Sequence, residues 1–371
     1  MTALVNLIDP SDPRPRYMQL YLSLRHQIAE GTLATGYRLP ASRALAKDLG
    51  LARSTVVTAY DQLVAEGYIE ARQGAGMFVC DVSPMLRHEA SKVAARPVPP
   101  RTSLVLAPGL PDPDVFPLRS WARALARVAR NTPEALVEQG DRFGNWALRQ
   151  QIARYAETWR GVRASADQVL MTSGATEALE LALDLLVQEG SVALEDPGYQ
   201  PAWRYCQRRG WDCLELPVER KGVSAPKHMA EVTILTPSHQ FPLGGALPLA
   251  SRQKFLAAAI ARNGWIIEDD FDSEFRYSGQ PIPAMAALNH QGRCIYVGTF
   301  SKTFSHAVRL GYLILPEGLV DRFRDGLAHR GGGAALTAQQ ALADFMEEGL
   351  YDMHIRRARR TYAERYAAIT D

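Results

Sequence analysis

No run of about 18 apolar residues occurs in this sequence, so no membrane-crossing helix is expected. Residues 1–10 carry no basic cluster ahead of an apolar core and reach Asp9 and Pro10 early, which is not the pattern of a secretory leader. Cysteine is scarce. Cys80, Cys206, Cys213 and Cys294 form no CxxC pair and sit in apolar or strand-like stretches, the usage of reduced structural thiols in a cytoplasmic protein. An excess of one charge is lacking too. A formal net charge of +2 gives no overall field for nucleic acid, so any DNA contact has to be local. Internal repeats and low-complexity tracts are absent. What remains is a 371-residue chain, 47% hydrophobic and 22% charged, with room for more than one domain.

The first part reads as helical. Leu20, Leu24 and Ile28 recur at helical spacing within 17–30, and Gly31 follows. Ser42 opens a second helix over 43–49 that Gly50 ends. Ser54 is expected to cap a third over 55–66, with Val56, Tyr60, Leu63 and Val64 inward and Gly67 behind it. Strand-like runs at 68–72 and 77–80 flank a tight turn at 73–76, and residues 1–13 read as a loose lead-in. Two helices, a short turn, a third helix and a hairpin give the order of a winged helix-turn-helix. The third helix of that motif enters the major groove by its N-terminal end, where Arg53, Ser54 and Thr55 stand. Ser42 and Arg43 begin the second helix, within reach of a phosphate. Gly74 and Gly76 leave the hairpin tip bare enough for close approach to DNA. The bland alternative is a small helical domain with no DNA role.

After a proline-rich, basic stretch over 83–103, expected to be a linker, strands and helices alternate. Strands are expected at 168–172, 191–195, 212–216, 232–236, 265–269, 294–297 and 311–315, with helical patterns at 177–188 and 251–263 among them. This is the pattern of an α/β domain with a mostly parallel sheet, whose ligands gather beyond the carboxyl ends of the strands. Polar residues collect at those ends. Lys302, between two apolar strands, is an amine able to form a Schiff base once its pKa is lowered. Arg309 offers a fork for phosphate, and Thr299 and Ser301 add hydroxyls. Ser173-Gly-Ala-Thr176 opens a helix after a strand, a seat for phosphate. Tyr199 can cover a planar ring, and Asp269 can keep a ring nitrogen protonated. Singly, each has an ordinary reading: a loop lysine, a turn glycine, a core aromatic, a surface acid. Together they suit an aldehyde-bearing, phosphorylated pyridine. Asp269-Asp270 also invites a metal, a reading of little weight because no His or Cys stands nearby at ligand spacing.

Two resemblances follow from these residues. The run Arg38-Leu-Pro-Ala-Ser-Arg-Ala-Leu-Ala-Lys-Asp-Leu-Gly-Leu-Ala-Arg-Ser-Thr-Val57, with Tyr60, Glu66-Gly-Tyr68 and Gly74-Ala-Gly-Met-Phe-Val79, resembles the GntR family of bacterial regulators over 14–82. It implies that Arg38, Arg43, Arg53 and the wing glycines meet DNA. From Gly144 through Ser173-Gly-Ala-Thr-Glu-Ala178, Asp196-Pro-Gly-Tyr199, Asp269-Asp-Phe271 and Ser301-Lys302 to Arg309-Leu-Gly-Tyr312, the body over 104–371 resembles the fold-type I aminotransferases. That resemblance implies pyridoxal 5′-phosphate (PLP) held as an aldimine on Lys302. Asp269 would meet the ring nitrogen, Tyr199 stack on the ring, and Ala175, Thr176, Thr299 and Arg309 hold the phosphate. Head, linker and body together are similar to the MocR subfamily.

The resemblance therefore implies a winged helix-turn-helix joined to a fold-type I PLP-dependent transferase-like domain with a mostly parallel seven-stranded sheet. Its function is expected to be that of a PLP-dependent regulator, a cytoplasmic homodimer on an operator in double-stranded DNA. It would sense a small amine, an amino acid or PLP itself, with at most weak transaminase activity. The rivals are an aminotransferase with a vestigial head and a DNA-binding protein without cofactor. Departures are Phe271, where the family's tyrosine meets the cofactor's ring oxygen, and Phe241, where an asparagine stands. The C-terminal small domain with its carboxylate-binding arginine is expected to be missing. The basic run 353–366 is expected to be a solvated helix, with a second DNA contact as the sharper alternative.

Overall fold

A leucine stripe organises the N-terminal part. In this computed structural model, which describes residues 7–82 and 109–370 apart from 139, 220–221, 227–228, 278–281, 290 and 331–332, helix α1 (Arg16–Ala29) buries Leu20, Leu24 and Ile28. They pack with Val56, Tyr60 and Leu63 of α3 (Arg53–Ala65) and Leu45 of α2 (Ser42–Leu49). Strands β1 (Ile69–Arg72) and β2 (Gly76–Val79) close the same core through Ile69 and Val79. Gly50 ends α2 in the left-handed conformation, φ 64°, as its place in the sequence predicts.

Four expectations change here. Ser54 does not cap α3. Ala52, whose methyl can accept no hydrogen bond, holds that position, and the Thr55 amide closes a backbone turn on the Ala52 carbonyl at 3.1 Å. Val64 points outward, 38% exposed, since Leu63 takes the inward place beside it. Gly76 pairs with Arg72 and belongs to the strand, not the turn. The lead-in is not loose from Leu7 onward: Leu7 is buried, and the Gln19 side chain bonds the Asp9 amide and the carbonyls of Asp12 and Arg14.

The chain divides into two compact units, Met1–Thr102 and Ser103–Asp371; the linker expected over 83–103 lies outside the described residues. The second unit is built on a seven-stranded sheet: β3 (Val169–Thr172), β4 (Ser191–Asp196), β5 (Asp212–Pro217), β6 (Val232–Leu235), β7 (Trp265–Asp270), β8 (Cys294–Thr299) and β9 (Gly311–Ile314). The spatial order is β3-β9-β8-β7-β6-β4-β5. Only β9 runs against its neighbours. Both faces are covered, so β3, β6, β8 and β9 are buried along their whole length and read as continuous apolar runs.

Helices α4 (Leu118–Asn131), α5 (Trp146–Arg160), α10 (Leu336–Glu347) and α11 (Leu350–Thr370) pack with one face. Further along the same face lies α8 (Leu249–Ala261), and the opposite face carries α6 (Ala175–Leu186), α7 (Gln200–Arg209) and α9 (Val320–Ala328). The register pairs Asp269 with Val297 and Asp270 with Gly298, which brings the carboxyl ends of β7 and β8 side by side. The C-terminal helix is not simply solvated. Tyr351, His354, Ile355 and Ala358 are buried. Tyr351 donates to Thr303 Oγ1 at 2.9 Å, and His354 Nε2 bonds the Thr303 carbonyl at 2.8 Å. The start of α11 therefore braces the turn that carries Lys302. No helix among the described residues is long and apolar enough to cross a membrane.

Candidate functional site

Lys302 follows the end of β8, half-buried, on a turn held by the Ser301 amide on Thr299 Oγ1 at 3.1 Å. Burial lowers its pKa, against the pull of Asp272 and Asp269. Its Nζ donates to the Gly109 carbonyl at 2.9 Å and lies 3.5 Å from His306 Nε2. Asp269 is buried on β7, and its Oδ1 has no hydrogen-bond partner among the described residues. Burial, then the neighbouring Asp270, Glu195 and Asp272, push its carboxyl up to about 7, while Lys302 pulls the other way. An amine and an acid, each made less willing to be charged, thus stand at and just beyond the carboxyl ends of adjacent strands, near enough for each to act on the other's charge.

The start of α6 forms the next wall. Gly174 precedes Ala175 and Thr176 with φ 131°, a conformation that suits glycine. Thr172 Oγ1 donates to the Gly174 carbonyl at 3.0 Å and steadies the turn. Gly311 packs so closely that a Cβ there would fall 2.7 Å from the Gly174 carbonyl carbon. This contact draws the strand that follows Arg309 onto the first turn of α6. Arg309 is exposed, has φ 54°, and makes no hydrogen bond or ion pair with a described residue. Thr176 Oγ1 lies 2.8 Å from the Tyr199 hydroxyl, which fixes that ring at the head of α7. Phe241 meets the Tyr199 ring edge-on at 6.2 Å and the Phe271 ring at 5.8 Å. His239 stacks on Phe271, and its Nδ1 pairs with Asp272 at 2.8 Å, a bond that raises its pKa. Phe271 and Phe241, the two departures from the family's tyrosine and asparagine, thus make this wall aromatic carbon.

Behind this rim lies a polar network that sequence reasoning missed. Arg160, at the end of α5, donates to Asp270 at 2.6 Å, to Ser238 Oγ at 2.5 Å and to the Ile282 carbonyl at 2.7 Å. The Tyr296 hydroxyl adds a bond to Asp270 at 2.7 Å. Glu268, fully buried and raised to about 7 by that burial, accepts the amides of Met285 and Ala286. A buried charge is tolerated only when it is paired and bonded. Here the pairing ties the loop after β6 and the segment at 282–286 to the sheet. Glu268 and Asp270 stand beside Asp269 in sequence, but Arg160 is 110 residues from its partner.

In the N-terminal unit Arg53 and Ser54 are exposed at the start of α3, with Thr55 half-buried beside them. Arg43 is exposed on the first turn of α2, next to a half-buried Ser42. The Arg38 guanidinium lies along the wing, 3.2 Å from where a Gly76 Cβ would stand. Gly74 has open space around it. The structure thus gathers the third helix's start, the second helix's start and the wing with mostly unburied basic side chains.

Residues 16–79 match the family described as bacterial regulatory proteins, gntR family, and residues 105–371 match aminotransferase class I and II. The probable rhizopine catabolism regulatory protein MocR of Rhizobium meliloti is 37% identical, over 97% of this chain and 77% of its own. The pyridoxine biosynthesis transcriptional regulator PdxR of Corynebacterium glutamicum is 35% identical, over 98% of this chain and 80% of its own. Among solved structures, the α-aminoadipate aminotransferase LysN of Thermus thermophilus, complexed with N-(5'-phosphopyridoxyl)-L-leucine, is 27% identical with a TM-score of 0.64, over 71% of this chain and 69% of that one. The kynurenine aminotransferase of Pyrococcus horikoshii, 24% identical with a TM-score of 0.64 over the same shares, bears on the fold alone. The body has the fold-type I aminotransferase fold, and the head is a GntR winged helix-turn-helix.

Proposed function

Since this chain belongs to the MocR type of GntR-family regulators, we propose that it is a DNA-binding transcription regulator whose body binds PLP at Lys302. Through that site it senses a small amine, an amino acid or the cofactor itself. The single observation that carries the cofactor half is the buried Asp269 Oδ1 with no partner among the described residues, near an amine whose pKa burial lowers. A buried acceptor left unbonded is costly, and a protonated ring nitrogen is the donor that suits it.

The rest of the rim fits the same group. The amides of Ala175 and Thr176 at the start of α6 receive a phosphate, and the unpaired guanidinium of Arg309 and the Thr299 hydroxyl complete its shell. Tyr199, steadied by Thr176, covers the ring. Bound PLP supplies an aldehyde that condenses with amines and a ring that withdraws electrons while its nitrogen stays protonated. Asp269, ionised, would accept a hydrogen bond from that N–H and keep the proton on the ring, and the opposite charge would draw its raised pKa back down. Phe271 and Phe241 give the ring oxygen neither phenol nor amide. That choice of side chains favours holding and reporting an amine over rapid turnover, so the body acts as a sensor with at most weak transaminase activity.

On the DNA side, Arg53, Ser54 and Thr55 read base edges, and Arg38, Ser42, Arg43, Gly74 and Gly76 meet the backbone. The domains of this reading are 14–82 for the head, 83–103 for the linker and 104–371 for the body. The chain acts as a homodimer that sets two heads on operator half-sites. The test is gel retardation of the protein's own upstream DNA, with and without PLP and candidate amines, alongside the visible absorbance of the purified protein. Retardation that changes with PLP, in a protein that turns yellow with it, is the expected result. Rapid turnover of an amino donor with no retardation of any upstream fragment would replace this reading with an enzyme.

A further inference from the structure

An ammonium cannot attack a carbonyl; it has to lose a proton first. Lys302 is half-buried, and the two charged groups that act on it, Asp272 and Asp269, both favour the protonated form. Neither carboxylate is hydrogen-bonded to Nζ among the described residues. What does touch Nζ is a closed triangle: the Gly109 carbonyl at 2.9 Å and His306 Nε2 at 3.5 Å, with that ring nitrogen 3.1 Å from the same carbonyl. The close approach requires a glycine at 109, because a Cβ there would fall 2.6 Å from Nζ. His306 is exposed and stands on the same turn as Lys302. An exposed imidazole therefore stands beside the half-buried amine.

We infer that His306 is the proton acceptor that frees the Lys302 amine. One N–H bond of the Nζ ammonium breaks and one forms at Nε2, leaving a neutral amine with its lone pair available and an imidazolium. The step consumes nothing else and conserves charge. Before transfer the ammonium donates to both the Gly109 carbonyl and the Nε2 lone pair, with the ring proton on Nδ1. After transfer the new Nε2–H donates to the Gly109 carbonyl, so that oxygen is satisfied in both states. The exposed ring then releases the proton to solvent. The inference rests on Lys302 being the amine that meets the cofactor's aldehyde, and names the base which that reading lacks.

The test reads Lys302 without cofactor. The full chain is labelled with acetic anhydride over a series of pH values, and acetylation of Lys302 is quantified at peptide level in wild type, His306→Gln and His306→Ala. Gln keeps a polar contact with Gly109 but takes no proton. Labelling at pH 7 is expected to fall about a hundredfold in both variants, the lower end of a general-base contribution, and to converge with wild type at high pH. Superimposable profiles would overturn the inference. So would a loss in His306→Ala that His306→Gln restores, which would leave the ring a positioning role only. As a measurement free of variants at His306, its NMR titration is followed in wild type and Lys302→Ala; a shift is expected, and an unchanged curve counts against a shared proton. PLP uptake is recorded in parallel. If wild type takes up none, the cofactor reading fails while the labelling still decides the proton transfer.

Discussion

Asp269 has an acid's ordinary chemistry turned around by its surroundings. Its ordinary value is 3.8, and in the folded protein it is raised to about 7. Between those values the folded state holds a proton that the unfolded chain has released. Its contribution to stability is therefore full below pH 3.8 and lost as the pH rises through about 7. Glu268, raised to about 7 in the same way, acts in the same direction. The cofactor-free protein is thus predicted to lose stability from pH 5 to pH 7, and Asp269→Asn to lose less, measured as urea unfolding at the two pH values. The same variant should bind PLP about tenfold or more weakly, the scale of one charge-assisted hydrogen bond, by absorbance titration. The positions of Asp269 at the end of β7 and Lys302 just past β8 were legible in the sequence because strand ends announce themselves by an apolar run giving way to polar residues. The Lys302–Gly109 contact was not, since it joins positions 193 apart. His306 stands one helical turn beyond Lys302 and was in plain view. Only the closed triangle gives it a part.

At the scale of elements, the approach of β9 to the start of α6 sets the phosphate seat. Gly311→Ala puts a Cβ against the Gly174 backbone, which cannot swing aside as a side chain can. A loss of about 1–3 kcal/mol in urea unfolding is predicted for such overpacking, together with weaker PLP binding. In α3, Arg53→Ala is predicted to weaken operator binding by about 1–3 kcal/mol if it reads a base, measured by fluorescence anisotropy. The seven strands all stood where the sequence placed them, because buried parallel strands are short, continuous apolar runs. Helix ends were less legible. Ser54 has the residue type of a cap, yet backbone closure at Ala52 starts α3 earlier. In α11 the basic residues at 356–360 drew attention away from Tyr351, His354, Ile355 and Ala358, which share one helical face and are buried. That spacing is in the sequence, but Tyr351 lies ahead of the basic run at 353–366, whose charges mask the apolar face.

For the molecule as a whole, the account joins two units that each carry half of a function. A net charge of +2 gives the DNA contact no help from the overall field, so operator affinity depends on the local set around α2, α3 and the wing. A ligand can shift that affinity only by binding two states of the protein unequally. The most direct measurement is operator occupancy by anisotropy as PLP is titrated into wild type and Lys302→Ala at fixed salt. Wild-type occupancy is predicted to change with PLP, and Lys302→Ala to bind the operator without responding. An equal response in the two proteins would contradict sensing through Lys302.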